Sequence, residues 1–375
     1  MEERKARKQL VDTGRELLQS GLVARTWGNV SCRLDVDSFV ITPSGLDYTK
    51  TGEEDIVKMN LTTGEWQGIH KPSGERGVHM AAYQVFPDVN FVIHTHQTYA
   101  TALGLAGFAH LDITEEERER LGGIMPADYG LPGTKKITRA VKTALQTGAK
   151  VVLMLHHGVL LCGSNQEETM SKALLLEEIC KRNIKGNIVA TEGIRAEGTK
   201  ADGLKAEEIR VERTKAEGIE DEKIGDEGRR TEDLRTEEIR FAEAEDLLMA
   251  VGERYRYAAL VQTPAVLACA NRGTPIYAQV DDMAQMIGRR ITVIPGNTAK
   301  VLQALERVKA VLVPGIGAVV RSAAEDDMMA LKLLVEKAAV CSLHTAACRV
   351  KARIGSFDAF LMKLVYQMKY SKQKA

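Results

Sequence analysis

Phe91-Val92-Ile93-His94-Thr95-His96 runs an apolar segment of strand character straight into two histidines spaced two apart. On a β-strand, positions i and i+2 lie on the same face, so both imidazoles can aim at one point. Neutral imidazole is a common zinc ligand, and an open catalytic zinc site takes three protein ligands and leaves one position free. The plainer alternative is two strand histidines hydrogen-bonded in a polar corner. A third candidate follows the apolar run Val151-Val152-Leu153-Met154-Leu155, which ends in His156-His157-Gly158. Adjacent residues on a strand point to opposite faces, so only one of these two can join the earlier pair.

Upstream lies Lys71-Pro72-Ser73-Gly74-Glu75, a Pro/Gly loop leading into a helical pattern that starts near His79. Glu75 sits at the entry to that helix, where the dipole favours a carboxylate. It is either a first-turn acid or a general base beside a metal-bound substrate. Two further segments, Thr26-Trp27-Gly28-Asn29-Val30-Ser31 and Thr42-Pro43-Ser44-Gly45, place glycine turns at strand ends. Such turns expose backbone N–H groups that can wrap an anion, although Gly, Ser and Asn also make plain turns. Helical patterns cover residues 4–20, 99–104, 112–121, 137–145 and 169–185, and Met125 to Thr134 is a loop with two prolines and two glycines.

The 375 residues suffice for about two domains. Fifty-one basic residues balance fifty-one acidic ones, which offers no argument for nucleic acid or an anionic membrane as partner. Six scattered cysteines form no Cys-x-x-Cys pair, so neither a disulfide framework nor a zinc ribbon is expected. No apolar run approaches the roughly 20 residues of a membrane helix, and the charged N-terminus does not resemble a secretory signal. A cytoplasmic protein is the expectation.

From Glu192 the chain adopts a five-residue period with an acid first and a base usually fourth. A step of five rotates a helical position by about 140°, so no apolar face forms, and six glycines oppose helix. Residues 190–245 therefore read as a charged insert or linker between a first unit, 1–189, and a last unit, 246–375. The last unit repeats part of the first: Val261-Gln262-Thr263 aligns with His96-Gln97-Thr98, and Val311 to Gly317 with Val151 to Gly158. In that register His94 becomes Ala259, His96 becomes Val261 and His157 falls near Ile316. The partial copy keeps the frame without the ligands, and any chemistry is expected in the first unit.

Gly28-Asn29-Val30-Ser31, Thr42-Pro43-Ser44-Gly45, Lys71-Pro72-Ser73-Gly74-Glu75, His94-Thr95-His96, Tyr129 in its Pro/Gly loop and His157-Gly158 occur together in one order. In this, residues 5–187 resemble the class II aldolase/adducin family. The resemblance implies an α/β/α sandwich around a mixed, mainly antiparallel sheet. It implies Zn²⁺ on His94, His96 and His157, Glu75 as acid/base, and a substrate phosphate held by Thr26, Asn29, Ser44, Gly45, Ser73 and Gly74. It also implies a homo-oligomer with the site at a subunit interface, where the neighbour's Tyr129 serves as proton donor. The expected reaction is retro-aldol cleavage of a phosphorylated ketose such as L-fuculose 1-phosphate, zinc stabilising the enediolate. Same-fold rivals are a sugar-phosphate epimerase, dehydratase or decarboxylase; an adducin-like structural protein is a third reading. Gly74, where the family usually has a second serine, and the insert with its partial copy depart from the pattern.

Overall fold

The computed structural model of the chain describes residues 1–107, 111–198, 243–295 and 297–371. Helix α1 (Glu3–Gln19) buries Leu10, Val11, Gly14 and Leu17 on one side, and Gly21, at φ +71°, follows its end. An eight-stranded sheet comes next, built from β1 (Asn29–Arg33), β2 (Ser38–Ile41), β3 (Val57–Asn60), β4 (Trp66–Gln67), β5 (Phe91–Thr95), β6 (Ile124–Ala127), β7 (Val151–Met154) and β8 (Gly158–Gly163). Its order is β4-β3-β2-β1-β5-β8-β7-β6, antiparallel throughout except for the parallel pair β6–β7.

Alternation along β5 assigns the two helical layers. Phe91 and Ile93 pack with Leu10 and Leu17 of α1, Leu103 of α3 (Thr98–Ala106) and Ile179 of α6 (Gln166–Gly198). Val92 packs with Val78 and Ala82 of α2 (Arg76–Val85) and Val141 of α5 (Lys135–Leu145) on the other face. His94, two residues on from Val92, therefore opens toward α2, the helix that Glu75 precedes. This is the three-layer α/β/α sandwich with a mixed, mainly antiparallel sheet. Helix α4 (Glu115–Leu121) starts later than the charge pattern suggests, because Thr114 and Glu117 form a capping box. Helix α6 runs on to Gly198, so residue 189 falls inside a helix. The expected insert falls mostly on 199–242, outside the described residues.

After helical residues 243–254 (α7), a second sheet joins β9 (Tyr257–Val261), β10 (Ile276–Tyr277), β11 (Arg290–Val293), β12 (Ala310–Val313) and β13 (Gly317–Ser322) in the order β10-β11-β12-β13-β9. The run β9-β13-β12-β11 has the strand order and directions of β5-β8-β7-β6, with the parallel pair in the same place. The ladders correct the register read from sequence by one residue. Thr95 pairs with Val159, one past Gly158, while Val261 pairs with Ala318, one past Gly317. By pairing alone, Val261 holds in its ladder the position that Thr95 holds in the other, and Leu260 that of His94. Apolar strands tolerate such a slip in sequence because only the pairing fixes which face a residue occupies.

Helices α8 (Pro264–Asn271), α9 (Asp281–Met286), α10 (Thr298–Leu305), α11 (Glu325–Ala347) and α12 (Ser356–Ser371) complete the second unit. Leu334, Val335 and Ala338 of α11 share one buried apolar core with Leu103 of α3 and Ile179 of α6. No helix among the described residues is long and apolar enough to cross a membrane.

Gly158 and Gly317 occupy equivalent positions for one reason. A Cβ on Gly158 would press into the carbonyl oxygen of Thr95, and one on Gly317 into that of Val261. Gly158→Ala and Gly317→Ala are each expected to cost about 1–3 kcal/mol through this overpacking, read as a lower urea midpoint. An unchanged midpoint would mean that the hairpin and the neighbouring strand do not meet there.

Candidate metal centre

Three elements deliver the imidazoles. His94 ends β5 on the α2 face, and His96 follows just past the strand. His157 lies in the tight turn between β7 and β8, its N–H donating to the Met154 carbonyl at 3.0 Å. His156 and His157 are turn residues rather than strand residues. What parts them is the left-handed backbone of His156, φ +65°, which sends the two rings apart. Glu75 caps the start of α2 and turns its carboxylate toward the histidines.

The four side chains converge. His94 Nε2 lies 3.1 Å from both His96 Nε2 and His157 Nε2. Glu75 Oε1 lies 2.8 Å from His157 Nε2, and Oε2 lies 3.2 Å from His94 Nε2. The outer nitrogens decide what the inner ones present. His94 Nδ1 donates to the Val159 carbonyl at 2.9 Å, and His157 Nδ1 donates to Asp281 Oδ2. With Nδ1 carrying the proton, each neutral ring turns an Nε2 lone pair inward. Lone pairs this close repel unless a cation sits among them. Together with the Glu75 carboxylate they form a donor set of nitrogen and oxygen atoms, all within 4.8 Å of one another, that suits zinc.

The side chains by themselves also favour positive charge here, which a proton on His157 supplies when no cation is bound. Burial pushes the Glu75 carboxyl upward, but the imidazoles of His157 and His94 overcome it and hold the group well below its ordinary 4.5. Burial likewise opposes charge on His157, and the Asp281 and Glu75 carboxylates raise that ring well above 6.5. His96 is lowered to about 4, first by burial, with Asp282 opposing.

Behind Glu75 runs a buried relay whose direction follows from donor chemistry. The Asn29 amide donates from Nδ2 to Glu75 Oε2 at 3.2 Å, so its Oδ1 must accept from His79 Nε2. His79 Nδ1 is then the acceptor for the Ser31 hydroxyl at 2.7 Å, and Ser31 Oγ accepts from the Tyr83 hydroxyl at 2.7 Å. Burial lowers His79 to about 3, which keeps it neutral as this pattern requires.

In front of the cluster opens a cavity of about 400 Å³. Thr26, Asn29, Ser44, Gly45, Ser73 and Gly74, all expected at a phosphate, line it together with Glu75, His96 and His157. Its far wall comes from the second unit: Gln285 of α9, and Leu361, Met362, Val365 and Tyr366 of α12. Tyr129 is not among the lining residues. Its hydroxyl donates to Asp358 of α12 at 3.3 Å, and its ring meets His156 edge-on.

The donor cluster lies in the first unit, but Asp281 and Asp282 of the second unit reach its imidazoles. In the sequence they look like first-turn helix acids. The signal that could have found them is a pair of acids inside a stretch without other charge, Ala278 to Ile287. His79 has no assigned role in the sequence, since a single polar residue inside an element carries no local motif, and Ser31 reads there only as the end of its glycine turn.

Residues 8–184 match the family model described as the class II aldolase and adducin N-terminal domain. The L-fuculose phosphate aldolase of Escherichia coli K12 is 36% identical over 171 residues, covering 45% of this chain and 78% of that protein. The L-ribulose-5-phosphate 4-epimerase of Salmonella paratyphi C is 28% identical over 190 residues, 47% of this chain and 83% of its own. Among solved structures, an L-fuculose 1-phosphate aldolase is 27% identical with a TM-score of 0.45, covering 54% of this chain and 91% of that one.

His79→Phe keeps a ring in place but leaves Asn29 Oδ1 without its donor and the Ser31 hydroxyl hydrogen without its acceptor, an expected cost of about 1–3 kcal/mol. The depressed pKa of His79 adds a pH signature. Between about 3 and 6.5 the unfolded chain binds the proton that folded His79 refuses, so this group makes stability fall as pH drops through that window. Urea titrations across pH should show that part of the acid-side slope vanish in His79→Phe; an identical slope would show that His79 is not held neutral.

Proposed function

Since this chain belongs to the class II aldolase and adducin family, we propose that it is a zinc-dependent lyase. Its reaction would cleave a phosphorylated ketose of the L-fuculose 1-phosphate type into dihydroxyacetone phosphate and a hydroxyaldehyde. The observation that carries the reading is the meeting of three Nε2 lone pairs and one carboxylate at the floor of a cavity edged by Gly28, Ser44, Gly45, Ser73 and Gly74. His94, His96 and His157 would hold the ion, with the Glu75 carboxylate within ligand reach. A divalent ion there supplies Lewis-acid stabilisation of the negative charge that develops as the carbon–carbon bond breaks.

The protein's own groups do the rest. The hydroxyls of Thr26, Ser44 and Ser73 and the backbone N–H groups of Gly45 and Gly74 hold the substrate's phosphate, which fixes the reacting bond near the imidazoles. Glu75 exchanges the proton at the carbon that becomes the dihydroxyacetone methylene carbon. Asn29, oriented by His79, donates to one Glu75 oxygen and leaves the other to turn toward substrate. Tyr129 does not line its own chain's cavity, so it would serve the aldehyde side from a neighbouring chain, where its hydroxyl would have to leave Asp358. That role requires a homo-oligomer. Residues 246–375 are best read as a partial repeat of the first unit, with Leu260 and Ile316 in place of ligands, joined to 1–189 by the charged segment.

The similarity to a 4-epimerase makes stereochemical inversion at the same site the second reading. A panel of ketose phosphates, assayed for both aldehyde release and epimerisation, separates the two, and aldehyde release is expected. Glu75→Gln should lower turnover by about 10²–10⁴-fold while the purified protein keeps its zinc. Wild-type turnover in that variant would remove Glu75 from the mechanism. Tyr129→Phe should lower turnover only if the protein is oligomeric by light scattering; a fully active monomer would end the role assigned to Tyr129.

A further inference from the structure

The outer nitrogens of two imidazoles face carboxylates that lie beyond the family match. Helix α9 begins Asp281-Asp282, both side chains almost wholly buried. Asp281 Oδ2 accepts the hydrogen bond from His157 Nδ1. Asp282 Oδ2 stands 3.5 Å from His96 Nδ1 and 2.8 Å from Lys337 Nζ on α11. The same ammonium donates to the His96 carbonyl at 3.1 Å, so Lys337 grips both the carboxylate and the backbone of the residue it faces. A pair of backbone contacts clips this segment to the β7–β8 turn: Asp281 N–H donates to the His156 carbonyl at 2.9 Å, and His156 Nδ1 donates to the Gln279 carbonyl at 2.6 Å.

Buried carboxylates are costly unless compensated. Glu75, Asp281 and Asp282 touch the imidazoles, and Lys337 is the one Lys or Arg ion-paired with any of them among the described residues. Asp281 Oδ1 and His96 Nδ1 are buried without a hydrogen-bond partner. The next buried carboxylate, Glu177, is taken up by the backbone N–H groups of Tyr99 and Ala100. With the imidazoles neutral, as metal ligands must be, two negative charges are left over at the cluster, which a divalent cation would balance.

We propose that the second unit is a working part of the metal centre, with Asp281 and Asp282 as positioning residues that fix the tautomer and aim of His157 and His96. The inference rests on reading the histidine cluster as a metal site, and goes beyond it in assigning tight metal retention to residues 246–375. His94 is set by a carbonyl of its own sheet. The other two rings have no first-unit acceptor for Nδ1 among the described residues, which leaves their tautomer to the second unit. A carboxylate on the outer nitrogen also raises the basicity of the inner one.

The test uses the full-length chain, Zn²⁺ alone as ligand and competition against a chromophoric chelator, so that no turnover is needed. Asp281→Asn is expected to weaken zinc binding about 10–100-fold and to change the visible absorption of the Co²⁺-loaded protein. Asp282→Asn should weaken it less, because its carboxylate stands off and is shared with Lys337. Asp327→Asn is the control: it breaks the Arg25–Asp327 ion pair between the same two units without touching an imidazole, and should leave affinity within about twofold. Wild-type affinity and Co²⁺ spectrum in Asp281→Asn overturn the proposal, as does an equal loss in Asp327→Asn, which would make the effect one of docking alone. Should Asp281→Asn fail to fold, Asp282→Asn decides: weakened binding supports the proposal and wild-type affinity overturns it. Wild-type protein that binds no divalent ion would fail the metal reading itself, and the inference with it.

Discussion

The structure depends on the mutual repulsion of lone pairs forced into one buried spot. His94 and His157 each spend their Nδ1 proton on an outside acceptor, and so neither can offer an inward proton without becoming charged. With His96 Nε2 and the Glu75 carboxylate pressed into the same space, the cluster is stable only around positive charge. Everything nearby serves that condition. The end of β5, the strained turn at His156 and the start of α2 each bring one donor, and the sheet holds them at fixed separation.

The relay from Tyr83 through Ser31, His79 and Asn29 to Glu75 shows how far the constraint reaches. In the proposed role, where it would face a cation and handle a proton, Glu75 needs one oxygen committed and one available. Asn29 commits the first, and a neutral His79 keeps Asn29 from flipping its amide. None of these groups contacts more than its neighbours, yet the donor order runs in a single direction from the core to the cavity.

The second unit changes what the site is made of. Four of its five strands share the order and directions of four in the first sheet, yet the turn between β12 and β13 brings no histidine to the cluster. It acts instead through α9, α11 and α12, elements that meet the first unit along a shared apolar core and across the cavity mouth. The apolar wall of Leu361, Met362 and Val365 opposite the polar glycine turns gives the cavity two unlike sides, one suited to an anion and one to a less polar group.

The sequence by itself determined, through the family resemblance that its ordered motifs carry, the sandwich, the histidines that meet Glu75 and the residues edging the cavity. His94-Thr95-His96 shares a face by strand geometry, and Glu75 lies at a helix start by its Pro/Gly loop. What tertiary structure alone decided is which partners face those residues across space. Asp281 and Asp282 read as ordinary helix acids until α9 is docked on the β7–β8 turn, more than a hundred residues away in the chain. His79 and Ser31 are single polar residues whose meaning appears only when β1 packs under α2. The one-residue slip in the second unit has the same cause: apolar strands look alike in sequence, and only hydrogen-bond pairing with a neighbour sets the face each side chain occupies.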